Sequence, residues 1–192
     1  MRYLNRFCQT IVDAEYYLIL DTETTGLNDG EICQLAVIDC TGKIMLDTFV
    51  KTKNPIPLQA TSIHGITDTM VKDAPTWCEI SPKLEDLLRD NLVVIYNAVY
   101  DRKMMHKSAE CWELPKVDWK SFVRFECAME AYAEHYGAWN DYHGSYRWQK
   151  LSVAAASESV LVENAHNALG DCLMTLGVVT AMIKSNRWTI KS

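Results

Sequence analysis

The chain has little of what marks a fibrous, disordered or disulfide-built protein. Eight Gly and five Pro in 192 residues are too few for a collagenous or low-complexity chain. The apolar run 172–183 is twelve residues long, short of the roughly 20 a membrane-spanning helix needs. Residues 1–10 mix Arg2 and Arg6 with Asn and Gln and lack an apolar secretory core, so a cytoplasmic protein without a membrane partner is expected. Seven Cys, an odd number with no C-x-x-C spacing, fit neither a disulfide framework nor a structural zinc cluster. An excess of cations is missing too. There are 19 Lys and Arg against 25 Asp and Glu, a net charge of -6, which excludes a broad basic face gripping a duplex backbone.

What is present is a chain able to bury a core, with 48% hydrophobic and 23% charged residues. Its length suits one domain spanning 1–192, with a core at about 16–183. The run 16–21 (YYLILD) reads as a buried strand ending in Thr-Glu-Thr-Thr-Gly. Two further strands, 31–39 and 43–50, flank Cys40-Thr41-Gly42, a connection short enough for an antiparallel hairpin. Ser81-Pro82 is expected to open a helix, with Pro at its first position. The run 91–96 (NLVVIY) is another buried strand, followed by helical residues over 100–111. A fifth strand is expected at 121–126, with a helix over 127–136. After the aromatic, irregular loop 137–148, two more helices are expected near 149–157 and 168–183. Strands followed by alternating helices and strands predict an α/β domain, a mixed five-stranded sheet covered by helices on both faces.

The chemistry concentrates in acidic residues. Asp21 and Glu23 are two apart at the end of the first strand, where alternate side chains project to one side. Gly26 lets the chain turn away behind them. Asp101 follows Asn97 directly after the 91–96 strand, and Asp171 lies near the start of the last helix. If His166 shared that helix, it would stand about 140° from Asp171. Both reach one site only if His166 precedes the helix and Asp171 faces inward. Four carboxylates and one His supply hard oxygen ligands suited to Mg2+ or Mn2+. Four like charges packed together repel unless cations separate them. Two ions roughly 4 Å apart would relieve that repulsion and serve in-line displacement at phosphorus, with His166 as the general base.

Asp21-Thr22-Glu23-Thr24-Thr25-Gly26, Asn97-x-x-x-Asp101 and His166-x-Ala168-x-x-Asp171, in this order and separation, resemble the three motifs of the DEDDh exonucleases. These form the DnaQ-like group of the ribonuclease H-like fold, which includes polymerase proofreading subunits, ribonuclease T and oligoribonuclease. The segment 31–77 also resembles the proofreading type, including His64-Gly65-Ile66-Thr67. The resemblance implies 3′→5′ hydrolysis of single-stranded DNA or RNA ends to nucleoside 5′-monophosphates. It implies that Asp21, Glu23 and Asp171 hold the catalytic metal, that Asp21 also touches a second ion, that Asp101 acts on that ion through water, and that His166 is the base. It further places Thr24, Thr25, Gly26, His64 and Asn97 at the substrate, with His64 read first as a structural residue fixing the loop beside Gly65.

Two features depart from that pattern. Glu126-Cys127 stands where many members carry Asp-Thr, and the 137–148 stretch is longer and more aromatic than proofreading subunits have. Its rings either stack on bases or, the reading preferred from sequence, pack the loop against the body. Other classes fit the motifs as well: an inert nucleic-acid-binding or partner-binding subunit of a replication or repair complex, or an oligoribonuclease-like phosphodiesterase. Related enzymes include homodimers and monomers alike.

Overall fold

Alternation along the strands decides which helices each face of the sheet receives. In β1 (Leu18–Thr24), Leu18 and Leu20 join one apolar cluster while Ile19 joins another. The same split recurs in β2 (Ile32–Asp39), where Leu35 and Val37 oppose Ala36 and Ile38, and in β4 (Leu92–Ile95), where Val93 and Ile95 oppose Leu92 and Val94. Strands buried on both faces read as continuous apolar runs.

The computed structural model describes residues 2–161 and 167–190, with side chains through 186. With β3 (Ile44–Phe49) and β5 (Arg124–Cys127), the strands form a five-stranded sheet in the order β3-β2-β1-β4-β5. β1 pairs antiparallel with β2 and parallel with β4, and β5 runs parallel to β4. The carboxyl ends of β1, β4 and β5 therefore share one edge of the sheet, the edge at which open α/β sheets place their sites.

One face carries α4 (Trp77–Leu88) and α5 (Ala98–Cys111), whose Trp77, Leu84, Leu88, Met104 and Met105 are fully buried. The other carries α1 (Tyr3–Ala14), α6 (Ala128–Tyr136), α7 (Leu151–Ser157) and α8 (Ala168–Ile190). Two short helices, α2 (Leu58–His64) and α3 (Asp68–Val71), cover the start of β2, beside the carboxyl end of β1, with a small third cluster around Cys33, Ile56 and Ile66. By length and composition the 168–186 part of α8 could cross a membrane. Here its Cys172, Val178, Val179 and Met182 are core residues packed on β1 and β2.

The mixed sheet, its strand order of appearance and the β2–β3 hairpin match the expectations from sequence. Three places differ. α4 starts at Trp77, one turn before Ser81, because Thr76 and Glu79 form a reciprocal capping box; Pro82 lies inside the helix. α1 was not anticipated, although Leu4, Phe7, Cys8 and Ile11 carry helical spacing. It is tied to β5 through Tyr3 Oη, which donates to Glu126 Oε2 at 3.2 Å, and through an Arg6–Glu126 ion pair at 3.6 Å. Glu126 thus serves the N-terminal helix. Third, the 137–148 loop forms a two-stranded hairpin, β6 (Trp139–Asn140) and β7 (Ser145–Tyr146), whose rings do not pack onto the body. Tyr142 is 90% exposed and Trp148 69% exposed.

Phe7 lies fully buried in the cluster that α1 shares with α6 and α8. Phe7→Ala is expected to cost about 3–5 kcal/mol, whereas Val12→Ala on the outer side of the same helix should change stability by less than about 0.5 kcal/mol. Urea unfolding of the two variants checks both values.

Candidate active site

Four segments converge at the carboxyl edge of β1. Asp21 and Glu23 share the β1 face that carries Ile19 and looks toward α8. Asp171 comes from the first turn of α8. One carboxylate oxygen from each of Asp21, Glu23 and Asp171 lies within 4.8 Å of the others. Thr22 points the opposite way, toward α5, and its Oγ1 donates to Asp101 Oδ1 at 2.8 Å. Asp101 is only 4% exposed. Three carboxylates thus gather on one face, and the fourth is held on the other by the intervening threonine.

Burial and mutual repulsion dominate the electrostatics. Burial, then the charges of Asp101, Asp171 and Glu23, holds Asp21 well above the usual carboxylate range. Glu23 is pushed up to about 7 by burial, then by Asp171 and Asp101. Burial also raises Asp101, with the Thr22 hydroxyl opposing that rise. Groups so perturbed, all at one strand end, mark a functional site. Their all-oxygen donor set fits a hard divalent cation.

The surrounding backbone is fixed by residues of little individual prominence. The β1–β2 ladder shifts register between Glu23 and Thr24, leaving Cys33 as the extra residue of β2. Gln34, paired with Glu23, accepts the Ala168 N–H at 3.2 Å and so fixes the start of α8. Asn167 caps that helix, its Oδ1 accepting from Gly170 N–H at 2.7 Å. Thr24 Oγ1 and Tyr100 Oη share a 2.6 Å hydrogen bond, and Tyr100 also donates to the Gly26 carbonyl at 3.3 Å. Thr25 closes the following loop, since its N–H meets Glu31 O and its Oγ1 accepts Glu31 N–H, both at 2.9 Å.

Residues 18–179 match the RNase_T exonuclease family model, a span holding all four carboxylates. The chain belongs to this family. Within it the three motifs are those of the DEDDh, DnaQ-like exonucleases. An exonuclease of Escherichia phage 186, CP81, is 47% identical over 171 residues, covering 87% of this chain and 88% of the phage protein. Exonuclease X, solved in complex with a 5′-overhanging duplex DNA, is 26% identical with a TM-score of 0.67, covering 91% of this chain and 95% of that one. Exonuclease I of E. coli, solved with a dA16 oligonucleotide, shares the fold at 17% identity and a TM-score of 0.72 over 91% of this chain and 42% of its own.

In this exonuclease the sequence-expected residues fall as follows. Asp21, Glu23 and Asp171 come together, with Asp101 behind Thr22. Thr24, Thr25 and Gly26 form the turn beside them. Asn97 precedes α5, and its side chain makes no capping hydrogen bond. His64 ends α2; its Nδ1 accepts the Ile66 N–H at 3.0 Å, and its ring also reaches the Thr24 backbone. It ties the loop beside Gly65 to the end of β1. His166 lies outside the described residues. The tight-turn role assigned to Gly26 belongs instead to Gly30, where a Cβ would stand 2.3 Å from the Gly26 carbonyl oxygen, while Gly26 itself has open space.

Gln34, Tyr100 and Gly30 were missed from sequence. Gln34 was hidden because a polar residue in a buried strand carries no motif, although a Gln amid apolar neighbours is itself a signal of a required partner.

A carboxyl raised from 4.5 to about 7 in Glu23 binds its proton more tightly folded than unfolded. Its stabilising contribution is full below about pH 4.5 and is lost as pH rises through about 7. In EDTA, Tm should therefore fall between pH 5 and 8, with Glu23 adding on the order of 2–4 °C per pH unit. The fall should be shallower in Glu23→Gln and in wild type with Mn2+, as read by thermal denaturation across that range.

Proposed function

We propose that this protein is a 3′→5′ exonuclease that shortens single-stranded DNA or RNA ends and releases nucleoside 5′-monophosphates. The observation that carries this reading is the set of three carboxylate oxygens within 4.8 Å on one face of β1, with Asp101 held opposite by Thr22. Buried acids that repel one another at this range fit divalent cations, Mg2+ or Mn2+. Asp21, Glu23 and Asp171 would hold one ion, and Asp21 with Asp101 a second. When bound, two such ions neutralise charge on the scissile phosphate and favour ionisation of the attacking water.

His166 takes the proton from that water as its oxygen attacks the phosphorus of the terminal nucleotide. The bond from phosphorus to the preceding 3′-oxygen breaks, and that oxygen is protonated as the shortened strand's new 3′-hydroxyl. The Thr24-Thr25-Gly26 turn, braced by Tyr100 and His64, receives the terminal nucleotide through its backbone. Asn97, whose amide caps nothing, is placed to meet the same nucleotide. That exonuclease X and exonuclease I were solved on DNA supports nucleic acid as the substrate class.

All four carboxylates come from one chain, which supports a metal site assembled within a single copy. The reading treats 1–192 as a single exonuclease domain acting in the cytoplasm.

Time-resolved digestion of a 5′-labelled oligonucleotide with Mg2+ or Mn2+ tests the proposal, with matched DNA and RNA run side by side. A ladder shortening from the 3′ end is expected, and a folded sample that leaves the label at full length would sink it. Asp21→Ala and Asp171→Asn should abolish cleavage. His166→Ala should slow it on the order of 10²–10⁴-fold, and a near wild-type rate in that variant would remove the assigned role.

A further inference from the structure

A cavity of about 980 Å³ runs along the outer face of α5, between that helix and the segment 114–120. Arg102, Lys103 and Lys107 line it from the helix, and Lys116 and Lys120 from the opposite segment. Glu110 and Asp118 are its acids. Five cations against two carboxylates is a local reversal of sign in a chain whose net charge is -6. Val99, Leu114 and Trp119 give it an apolar floor.

Two of these cations are fixed into the wall. Lys107 pairs with Glu110 at 3.0 Å and with Asp29 at 3.3 Å. Arg102 donates from Nε to the Ala98 carbonyl at 2.9 Å, and its guanidinium lies 5.4 Å from the Phe125 ring centroid. Lys103, Lys116 and Lys120 are exposed, and among the described residues no carboxylate pairs with Lys116 or Lys120. His106 registers the resulting field, since burial and then the Lys116 and Arg102 charges depress its proton affinity.

The groove borders the loop that follows β1. Lys103 Nζ reaches the carbonyl of Leu27, next after Gly26, at 3.5 Å, and Lys107 pairs with Asp29 of the same loop. A rise of 1.5 Å per residue carries the wall about 6 Å from Lys103 to Lys107. A cationic channel beside the loop that leads out of the carboxylate centre has the charge to follow a strand backbone.

We propose that this groove binds the sugar-phosphate backbone of the nucleic-acid substrate beyond the nucleotide being removed, with Lys116 and Lys120 as its free phosphate contacts. The proposal rests on the exonuclease reading above for its substrate class. It adds a second point of attachment, which neutralises phosphates while the carboxylate centre holds the scissile one.

The test is the double variant Lys116→Ala/Lys120→Ala. In EDTA, where the carboxylate centre contributes no metal-mediated contact, fluorescence anisotropy with a 5′-labelled oligothymidylate of about 20 nucleotides isolates the groove. Affinity should fall about tenfold or more at about 0.1 M salt. The slope of log K against log salt should shrink by about 1.4, from about 0.7 per phosphate contact on a single strand. With Mn2+, KM for the same oligomer should rise in parallel. Hydrolysis of the p-nitrophenyl ester of thymidine 5′-monophosphate, too short to reach the groove, should be unchanged.

Unchanged affinity and salt slope would overturn the proposal, as would binding of polyglutamate with equal affinity and an equal lysine dependence. A second arm uses a duplex with a short 3′ overhang. Loss on the single strand, carried over to the overhang, assigns the groove to the strand being cleaved, and loss on the duplex alone overturns the proposal in favour of a contact to the complementary strand. Wild-type protein that cleaves neither oligomer nor ester would refute the exonuclease reading, while the EDTA titration would still judge the groove.

Discussion

Everything at the candidate site depends on β1 presenting two chemically different faces over four residues. A strand cannot turn two neighbouring side chains the same way. Asp21 and Glu23 must therefore go to the α8 side, and Thr22 must go to the α5 side. That geometry recruits the two distant acids through different layers: Asp171 arrives with the helix stacked on one face, and Asp101 with the helix stacked on the other. The central position of β1, between an antiparallel and a parallel neighbour, makes both layers reachable from one strand end.

The fold also contains two ways of burying acid. Glu31, only 2% exposed, receives N–H donors from Lys53 at 2.8 Å, from the Asn54 backbone at 2.9 Å and from the Asn54 side chain at 2.8 Å. It ties the loop after β3 to the start of β2 and behaves as a structural member. Asp21 and Glu23 face other carboxylates. The Glu31 oxygens are satisfied by these donors, whereas carboxylates surrounded by one another favour protons or cations. The contrast separates scaffold acid from functional acid without reference to sequence position.

Much of this is legible in the amino-acid sequence alone. The strands of the sheet announce themselves because burial on both faces leaves continuous apolar runs such as LVVI, and the carboxylates stand out because acids at strand ends are chemically conspicuous. Signals of cooperation between segments were harder to read. Gln34 and Tyr100 act through partners more than 65 positions away, which no local window contains. The start of α4 was misjudged because Ser81-Pro82 imitates a helix opening that Thr76 and Glu79 had already made. The aromatic loop was expected to fold its rings inward by the ordinary preference of apolar surface for burial. The short β6–β7 hairpin satisfies its own backbone pairs and leaves Tyr142 and Trp148 in solvent.

Cys172 follows Asp171 directly, and its Sγ lies 3.7 Å from the Ile19 carbonyl and 3.5 Å from the Ala36 carbonyl. This small side chain is the spacer between the last helix and the two strands beneath it, and it is completely buried. The spacing of a core contact and the reach of a functional acid are therefore one dimension of the molecule. Enlarging the spacer by a methylene or two would tilt the first turn of the helix outward and carry the adjoining carboxylate with it. At this position tolerance to substitution is governed by alignment as much as by stability, so a variant could stay folded and still lose its chemistry.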